Sequence, residues 1–412
     1  MSHLIFIVLL NILFTNGLKY NGYQIVHIEP TKEQTELIHQ NCNFDYITPL
    51  RRNGGLTKVV VKSEERKIVY NFLSSNKIKF TVIVDDLENY FKKERLHQLS
   101  RLKTFDRGTI SFRRYERHET INNYLKSLAS KYPELVSLEN IGQSFEGRDM
   151  IVIKISTGRG TKQKPVIFID AGIHAREWIA PATALYVVNQ LVENSTWNNF
   201  MIQNADWYIL PSLNPDGYEY THTNDRLWRK TRSLGSECTG TDANRNFDFY
   251  WGTTGASSAE CSEIYKGRNA FSEVELQNFK NFSEANKDKI KLYLTLHSYG
   301  YFILYPWGYT SDLPQDVDEL QHLGSTVSSK IRDYSGTRFT VGSSTNVLYP
   351  AAGGSDDWMK GVNGVDLSYT IELQGDYEGF ELPAEKILPA VRESFVGIQA
   401  FHSYVDKKYA RM

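Results

Sequence analysis

The chain has 412 residues, with 47 Lys and Arg against 48 Asp and Glu, and a formal net charge of −1. This length exceeds that of one ordinary domain, so it predicts two folded units plus a processed segment. The balanced charge, without a long basic run, excludes nucleic acid and an anionic membrane surface as the main partner. Choice of partner must therefore depend on a defined site.

The first segment, residues 1–17 (MSHLIFIVLLNILFTNG), is typical of a secretory signal. Its apolar stretch of roughly ten residues is too short to span a bilayer, and small residues follow at cleavage positions. A buried N-terminal strand is the alternative, because no Lys or Arg precedes the apolar stretch. We expect a secreted, extracellular protein with no membrane partner after signal removal.

If the protein is secreted, its three cysteines enter an oxidising compartment. An oxidising compartment favours a disulfide between Cys238 and Cys261, which leaves Cys42 without a partner.

Residues 18–107 are predicted to form a first unit. Short strands and helices alternate there, with strands at 23–28, 57–62 and 79–84 and helices at 32–40, 66–75 and 86–98. This alternation predicts a ferredoxin-like open α/β sandwich. The unit contains no cluster of catalytic residue types.

The basic connector RLKTFDRGTISFRRYER, residues 101–117, follows this unit. It is either a solvated linker or an activation segment. A signal upstream and a second globular unit downstream favour cleavage by a trypsin-like protease, with Arg107 as the expected position.

Residues 108–412 are predicted to form a second, larger α/β unit. Strands are predicted at 150–155, 166–171, 206–211, 290–296 and 367–373, and helices at 181–194, 272–285 and 384–405. Ser272 and Glu275 have the spacing of a capping box. The pattern predicts a mixed twisted sheet with helices on both faces.

Unusual polar residues follow the predicted strands. His174 and Glu177 follow the strand at 166–171, while His297 and Glu372 close two later strands. Because ligands bind at the carboxyl ends of strands in open α/β sheets, these residues are expected to converge. Two imidazoles and a carboxylate, from His174, His297 and Glu177, with an open fourth position, suit one catalytic zinc ion.

Seven motifs extend this interpretation: HAREW, LNPDGYEYTH, RLWRKTR, DANRNFD, LTLHSYG, LYPAAGGSDDW and YTIEL. Their content and order resemble secreted zinc metallocarboxypeptidases of the carboxypeptidase A/B family. The resemblance covers residues 108–405, and the upstream unit resembles the inhibitory prodomain of that family. It implies a zymogen that acts on the C-termini of peptides or proteins.

The resemblance also implies a role for each matching residue. His174, Glu177 and His297 would hold zinc, Glu372 would be the general base, and Arg229 would stabilise the oxyanion. Further residues would bind the substrate, by its terminal carboxylate or along the peptide: Asn244, Arg245, Tyr349, Arg176, Arg226, Tyr299 and Phe380. Arg232, in the same basic motif, is expected to be solvated. Non-proline cis peptides are implied at Ser298-Tyr299 and Pro306-Trp307.

Specificity depends on Asp356, which matches a position that is apolar in A-type enzymes and Asp in B-type enzymes. Gly308 and Ser344 match the pocket wall and leave room for a long side chain. We therefore expect removal of C-terminal Lys or Arg. The alternatives are A-type specificity for apolar residues, a catalytically dead binding protein on the same fold, or an Asp356 that only stabilises a turn.

Overall fold

A computed structural model of the chain describes residues 19–42, 44–47, 50, 54–100, 109–158, 164–375 and 379–410. They form two compact units: the first holds the described residues up to 100 with 222–226 and Gly379, and the second holds the others. The predicted signal and the predicted cleavage position Arg107 lie outside the described residues. Within them, no helix has the length and apolarity needed to cross a bilayer.

The first unit is a four-stranded antiparallel sheet packed against helices. Its strand order is β2-β3-β1-β4, which is the ferredoxin-like arrangement that the sequence predicts. Strand β2 was not predicted, because two residues are too few to show periodicity. The elements are β1 Gln24–Glu29, α1 Lys32–Asn41, β2 Asp45–Tyr46, β3 Thr57–Val61, α2 Arg66–Ser75, β4 Lys79–Val84 and α3 Leu87–Ser100.

The second unit contains an eight-stranded mixed sheet of order β11-β10-β12-β9-β7-β8-β6-β5. Its central strands β12, β9, β7 and β8 are parallel. The strands are β5 Val136–Gln143, β6 Asp149–Ile155, β7 Val166–Ala171, β8 Asp206–Leu210, β9 Ile290–Ser298, β10 Phe302–Tyr305, β11 Thr340–Ser343 and β12 Leu367–Leu373.

The helices of this part of the chain cover both faces of the sheet, as predicted. They are α4 His118–Lys131, α5 Ile179–Val192, α6 Asn199–Gln203, α7 Pro215–Thr223, α8 Val274–Asn286, α9 Val317–Ser335, α10 Ser344–Val347, α11 Ser355–Gly361 and α12 Ala384–Val405.

Strand β7 is a central strand whose apolar residues lie on both faces of the sheet. Ile167 and Ile169 belong to the core that contains α5 and α12 residues, whereas Phe168 belongs to the opposite core with α8 and α11 residues. A strand that is buried on both faces favours apolar residues at consecutive positions, and here only Asp170 of β7 is charged. The sequence prediction of β7 is therefore confirmed over its whole length.

Three strands of the second unit were missed. Strand β5 is a half-exposed edge strand with a polar sequence, and β10 and β11 have only four residues each. Such segments lack both a continuous apolar run and a clear alternation.

The predicted capping box is wrong. Glu273 is the N-cap of α8, and the Ser272 hydroxyl donates to the Glu273 carboxylate (2.9 Å). Glu275 is buried, and its carboxylate accepts from the Phe145 amide (2.9 Å). Glu275 therefore bonds the amide of Phe145, which is distant in sequence, and not the backbone at the start of α8.

Two expectations about covalent geometry are confirmed. Cys238 and Cys261 form a disulfide with a Cα–Cα distance of 5.1 Å, and Cys42 is a free thiol. The peptide bonds Ser298-Tyr299 and Pro306-Trp307 are cis.

Candidate active site

The sheet brings the predicted polar residues to one edge. Strands β7, β9 and β12 run parallel, so their carboxyl ends lie side by side. His174 and Glu177 lie in the turn between β7 and α5, and His297 pairs in register with Glu372. Paired residues on neighbouring strands point to the same face, so Glu372 lies beside His297.

The three predicted metal ligands form one buried cluster. The potential ligand atoms of His174, Glu177 and His297 all lie within 4.8 Å of one another. His174 Nδ1 is 2.9 Å from Glu177 Oε1 and 3.2 Å from His297 Nδ1. His297 Nδ1 is 3.2 Å from Glu177 Oε2. Two nitrogens and a carboxylate converging on one point are a donor set that fits zinc.

Asp242 holds this cluster from behind, and the sequence analysis gave it no role. It is fully buried, and one carboxylate oxygen lies 3.0 Å from His174 Nε2. A carboxylate at the second ring nitrogen orients a metal-binding imidazole with Nδ1 toward the metal. The position of Asp242 in the motif DANRNFD, two residues before Asn244, was the available signal.

Opposite charges at this edge shift each other's protonation equilibria. Burial alone would raise the pKa of Asp242, but the guanidinium groups of Arg229 and Arg245 hold it well below its usual range. Burial also opposes ionisation of Glu177, yet the imidazoles of His174 and His297 lower its pKa. Both carboxylates are therefore anions, as a metal ligand and its support must be.

Arg229 is held with one nitrogen left over. Its Nε and Nη2 donate to the same Asp242 oxygen at 3.2 and 2.9 Å. Nη1 makes no hydrogen bond to the part of the chain that the structure describes. The anion therefore fixes the guanidinium plane while leaving a donor available to a ligand.

Arg245 is also fixed through two of its three guanidinium nitrogens. Its Nε donates to the Gly255 carbonyl (2.8 Å) and its Nη1 to the Asn244 carbonyl (2.7 Å), while Nη2 has no protein acceptor among the described residues. Asn244 is fixed in turn, because its Oδ1 accepts from the Ser355 amide (2.9 Å). An oriented guanidinium beside an amide suits recognition of a carboxylate.

Glu372 is the least constrained charged group at this edge. Its carboxylate accepts no hydrogen bond from the described residues, although its backbone is fixed between β9 and β10. Burial raises the pKa of Glu372 to about 8, with Glu177 acting in the same direction and His297 opposing it. The group thus has free oxygens next to the metal cluster.

The other predicted substrate contacts are distributed around this cluster. Tyr349 is half-buried against Phe302 and Leu348 and lies near enough to Arg229 to raise its pKa. The Phe380 ring lies 5.2 Å from the Tyr299 ring and 4.5 Å from the Arg176 guanidinium.

The first and last arginines of the motif RLWRKTR, Arg226 and Arg232, are considered separately from Arg229 because their surroundings differ. Arg226 is buried but groups with the first unit, so its role stays a prediction. The expectation that Arg232 is solvated is wrong: its guanidinium lies 3.7 Å from the Tyr220 ring centre and 4.6 Å from that of Trp228. A guanidinium is weakly hydrated and stacks readily on aromatic faces.

Asp356 is buried at the beginning of α11, with 6% of its surface exposed. Within the described chain, its carboxylate receives one hydrogen bond, from Ser344 Oγ at 3.3 Å. A Cβ placed on Gly354 would lie 3.0 Å from Asp356 Oδ1 and 3.7 Å from Asn244 Oδ1. The Asp356 carboxylate therefore lies close to the amide beside Arg245.

Asp357 and Gly308 form the frame of this region. Asp357 accepts hydrogen bonds from the Gly308 amide (2.8 Å) and the Tyr309 amide (3.0 Å). A Cβ on Gly308 would lie 2.8 Å from the Ala351 carbonyl, so only glycine fits there. Burial and the neighbouring Asp356 raise the pKa of Asp357.

The fold and the cluster together fit a metal-dependent hydrolase, in which His174, Glu177 and His297 would hold the metal. Comparison with known proteins agrees with this class. Residues 121–397 match the family described as Zinc carboxypeptidase, and residues 27–94 match Carboxypeptidase activation peptide.

The chain is similar to carboxypeptidases from several animals. It is 49% identical over 301 residues to Carboxypeptidase B of Astacus astacus, which covers 72% of this chain and 98% of that protein. It is 36% identical over 420 residues to Carboxypeptidase B of Helicoverpa zea, covering 97% of each. The crystal structure of the carboxypeptidase A from Helicoverpa armigera superposes with a TM-score of 0.88 at 30% identity, covering 96% of this chain and all of that one (100%).

The chain belongs to the zinc carboxypeptidase family. It is a zinc metallocarboxypeptidase, a peptide hydrolase that carries one zinc ion and is made as a precursor with an activation peptide. The relatives include both A-type and B-type enzymes, so the family alone does not define the specificity.

Removal of a ligand tests the cluster. We expect the wild-type chain to bind one zinc ion and His297→Ala to bind less than a tenth as much at equal free zinc, because two ligands cannot complete the site. Zinc per chain is measured by atomic emission after dialysis against buffered zinc. The exposed His322, replaced in His322→Ala, is the control. Full zinc content in His297→Ala would contradict the assignment.

Proposed function

We propose that this chain is the secreted precursor of a B-type carboxypeptidase, which removes C-terminal Lys or Arg from peptides and proteins. The observation that carries the proposal is the buried Asp356 carboxylate close to Asn244 Oδ1, next to the oriented Arg245. A negative pocket beside a carboxylate-binding group matches a basic C-terminal residue.

Arg245 and Asn244 account for exopeptidase action. Arg245 Nη2 and the Asn244 side chain hold the terminal carboxylate, with Tyr349 as the third contact. The bond that reaches the metal cluster is then the one next to the anchored residue. Internal peptide bonds lack a carboxylate at this distance and are not presented.

His174, Glu177 and His297 hold the zinc ion, which when bound polarises the scissile carbonyl and lowers the pKa of a coordinated water. Glu372 accepts the proton of the attacking water, because its carboxylate oxygens are free of hydrogen bonds from the described residues and it lies in register with His297. It then delivers that proton to the leaving amine.

Arg229 stabilises the negative charge that develops on the carbonyl oxygen. Its free Nη1 is aimed by the two bonds from the same guanidinium to Asp242. Donors that are fixed before the reaction need no reorganisation when charge develops, and one such donor is worth a factor of about 10² to 10³ in rate. Arg176, Arg226, Tyr299 and Phe380 contact the peptide farther from the cleaved bond.

Asp356 makes the pocket selective. Without a cationic partner its buried carboxylate has only the Ser344 hydroxyl, so an apolar side chain would leave the charge uncompensated and an acidic one would be repelled. A substrate ammonium or guanidinium replaces the lost hydration. A-type specificity for apolar residues is the alternative.

Activation by a trypsin-like protease fits the basic segment 101–114. Arg114 at its end is buried and ion-paired with Glu116 (2.9 Å), which makes it a poor cleavage site. We therefore expect cleavage upstream of Arg114, and Arg107 remains the preferred position.

Glu372→Gln tests the proposed base. The substitution keeps the shape and removes the proton acceptor, so kcat should fall by about 10² to 10⁴ while zinc content is unchanged. Glu275→Gln makes the same change at a buried carboxyl outside the cluster and should keep nearly full activity. A zinc-loaded Glu372→Gln enzyme with normal turnover would exclude the role.

Specificity is tested with peptides that differ only in their last residue. For the activated wild type, kcat/KM should be about 10²-fold or more higher with the Arg and Lys peptides than with the Phe peptide. A Phe side chain would leave the buried Asp356 carboxylate without a cationic partner. Asp356→Ile should reverse the order. Asp333→Ile, on the exposed face of α9, should not change it.

A wild type that prefers Phe would support A-type specificity instead. An unchanged preference for Arg in Asp356→Ile would make Asp356 a turn residue. Lack of any turnover in zinc-loaded, proteolytically trimmed protein would favour the binding-protein alternative.

A further inference from the structure

A buried polar cluster lies on the face of the sheet beneath α11 and has no part in the chemistry above. It consists of Asp170 on β7, Tyr293 on β9 and Ser355 at the beginning of α11, none of them measurably exposed. Hereafter these three residues are called the pocket-floor cluster.

The pattern along the strands explains why polar groups meet there. On β9, Tyr293, Thr295 and His297 alternate with apolar residues, so all three point to one face. Asp170 pairs in register with Thr295, and the Thr295 hydroxyl donates to Asp170 Oδ1 (3.0 Å). This polar row runs from the aromatic core up to the metal ligand His297.

Each member of the cluster has a polar atom without a hydrogen bond of good geometry: Asp170 Oδ2, Tyr293 Oη and Ser355 Oγ. The Tyr293 hydroxyl nonetheless lies near enough to Asp170 and Ser355 for both to perturb its pKa. Buried polar atoms are costly when unpaired, so these three are expected to satisfy one another. A hydrogen-bond chain in which Ser355 donates to Tyr293 and Tyr293 donates to Asp170 would satisfy all three atoms.

Ser355 links the pocket-floor cluster to two residues of the proposed substrate pocket, Asn244 and Asp356. Its amide donates to Asn244 Oδ1 (2.9 Å), and the next residue is Asp356. The Asp356 carbonyl accepts from Ser368 Oγ (2.8 Å), so the backbone on the other side is fixed to β12. The carboxylate itself has only the long bond from Ser344, so its position depends on this backbone.

Asp170 also acts on Asp356 through its charge. Burial raises the pKa of Asp170 to about 6, and the Asp356 carboxylate adds to that shift. The hydroxyls of Thr295 and Tyr293 lower the pKa of Asp170 and so stabilise its anion despite the nearby Asp356 carboxylate.

We propose that the pocket-floor cluster is a positioning device for Asp356, and that the Tyr293 hydroxyl is a determinant of selectivity for basic C-terminal residues. The inference rests on the proposed B-type function. It assigns to Tyr293, Asp170 and Ser355 an indirect role, since none of them contacts the substrate.

The test is Tyr293→Phe, which removes one oxygen from a fully buried ring. Activated, zinc-loaded enzyme is assayed with peptides ending in Arg, Lys and Phe. We expect KM for the Arg and Lys peptides to rise about tenfold with little change in kcat, and kcat/KM for the Phe peptide to stay within about twofold. Ser355→Ala should shift the same ratio in the same direction.

A matched control separates positioning from general destabilisation. Tyr218→Phe removes another buried hydroxyl, which donates to the Glu116 carbonyl (2.8 Å), and should leave the Arg-to-Phe ratio unchanged. In an Asp356→Asn background, Tyr293→Phe should have no further effect on the ratio, because its action passes through the Asp356 charge.

Three outcomes would overturn the inference. One is an equal loss for all three peptides, and another is an unchanged ratio in both Tyr293→Phe and Ser355→Ala. The third is a full effect of Tyr293→Phe in the Asp356→Asn background. A wild type without preference for Arg and Lys would overturn the proposed function itself, and the inference with it.

Discussion

The buried carboxylate of Asp242 is the constraint on which the rest of the site depends. It contacts His174 from the side opposite to the metal cluster and receives both hydrogen bonds that orient Arg229. Arg245 Nη1 lies 3.9 Å from the same carboxylate, and the backbone N–H of Asn244 donates to it (3.0 Å). One buried anion therefore fixes the proposed metal ligand His174, the proposed oxyanion donor and the proposed carboxylate anchor in a single frame.

The sheet supplies the other half of this arrangement. Parallel central strands bring His297 and Glu372 to the same edge, next to the turn that carries His174 and Glu177. Alternation along β9 makes one face apolar and leaves the other polar near the carboxyl end. The same polar face lies beneath α11, so the metal cluster and the proposed specificity pocket are built on one surface.

Much of this was predictable from sequence because the signals were strong. Strand β7 is buried on both faces and has a nearly continuous apolar sequence, and the residues after it belong to the motif HAREW. Strand β12 alternates apolar with polar residues and contains the motif YTIEL. Short or exposed strands such as β5 and β10 gave no such signal. Asp242 was missed although it lies in the motif DANRNFD, because its contacts with His174 and Arg229 are seen only in the folded chain. The predictions for Arg232 and for the start of α8 failed because the ring contacts of Arg232 and the bond from Phe145 to Glu275 appear only on folding.

The most direct measurement is the zinc affinity and peptide KM of Asp242→Asn, compared with Asp206→Asn at a carboxyl on β8. If one anion supports both functions, Asp242→Asn should bind zinc about 10- to 100-fold more weakly in a chelator competition. The zinc-saturated variant should also show a raised KM, because Arg229 and Arg245 lose their shared partner. Zinc affinity and KM both equal to those of Asp206→Asn would contradict the account.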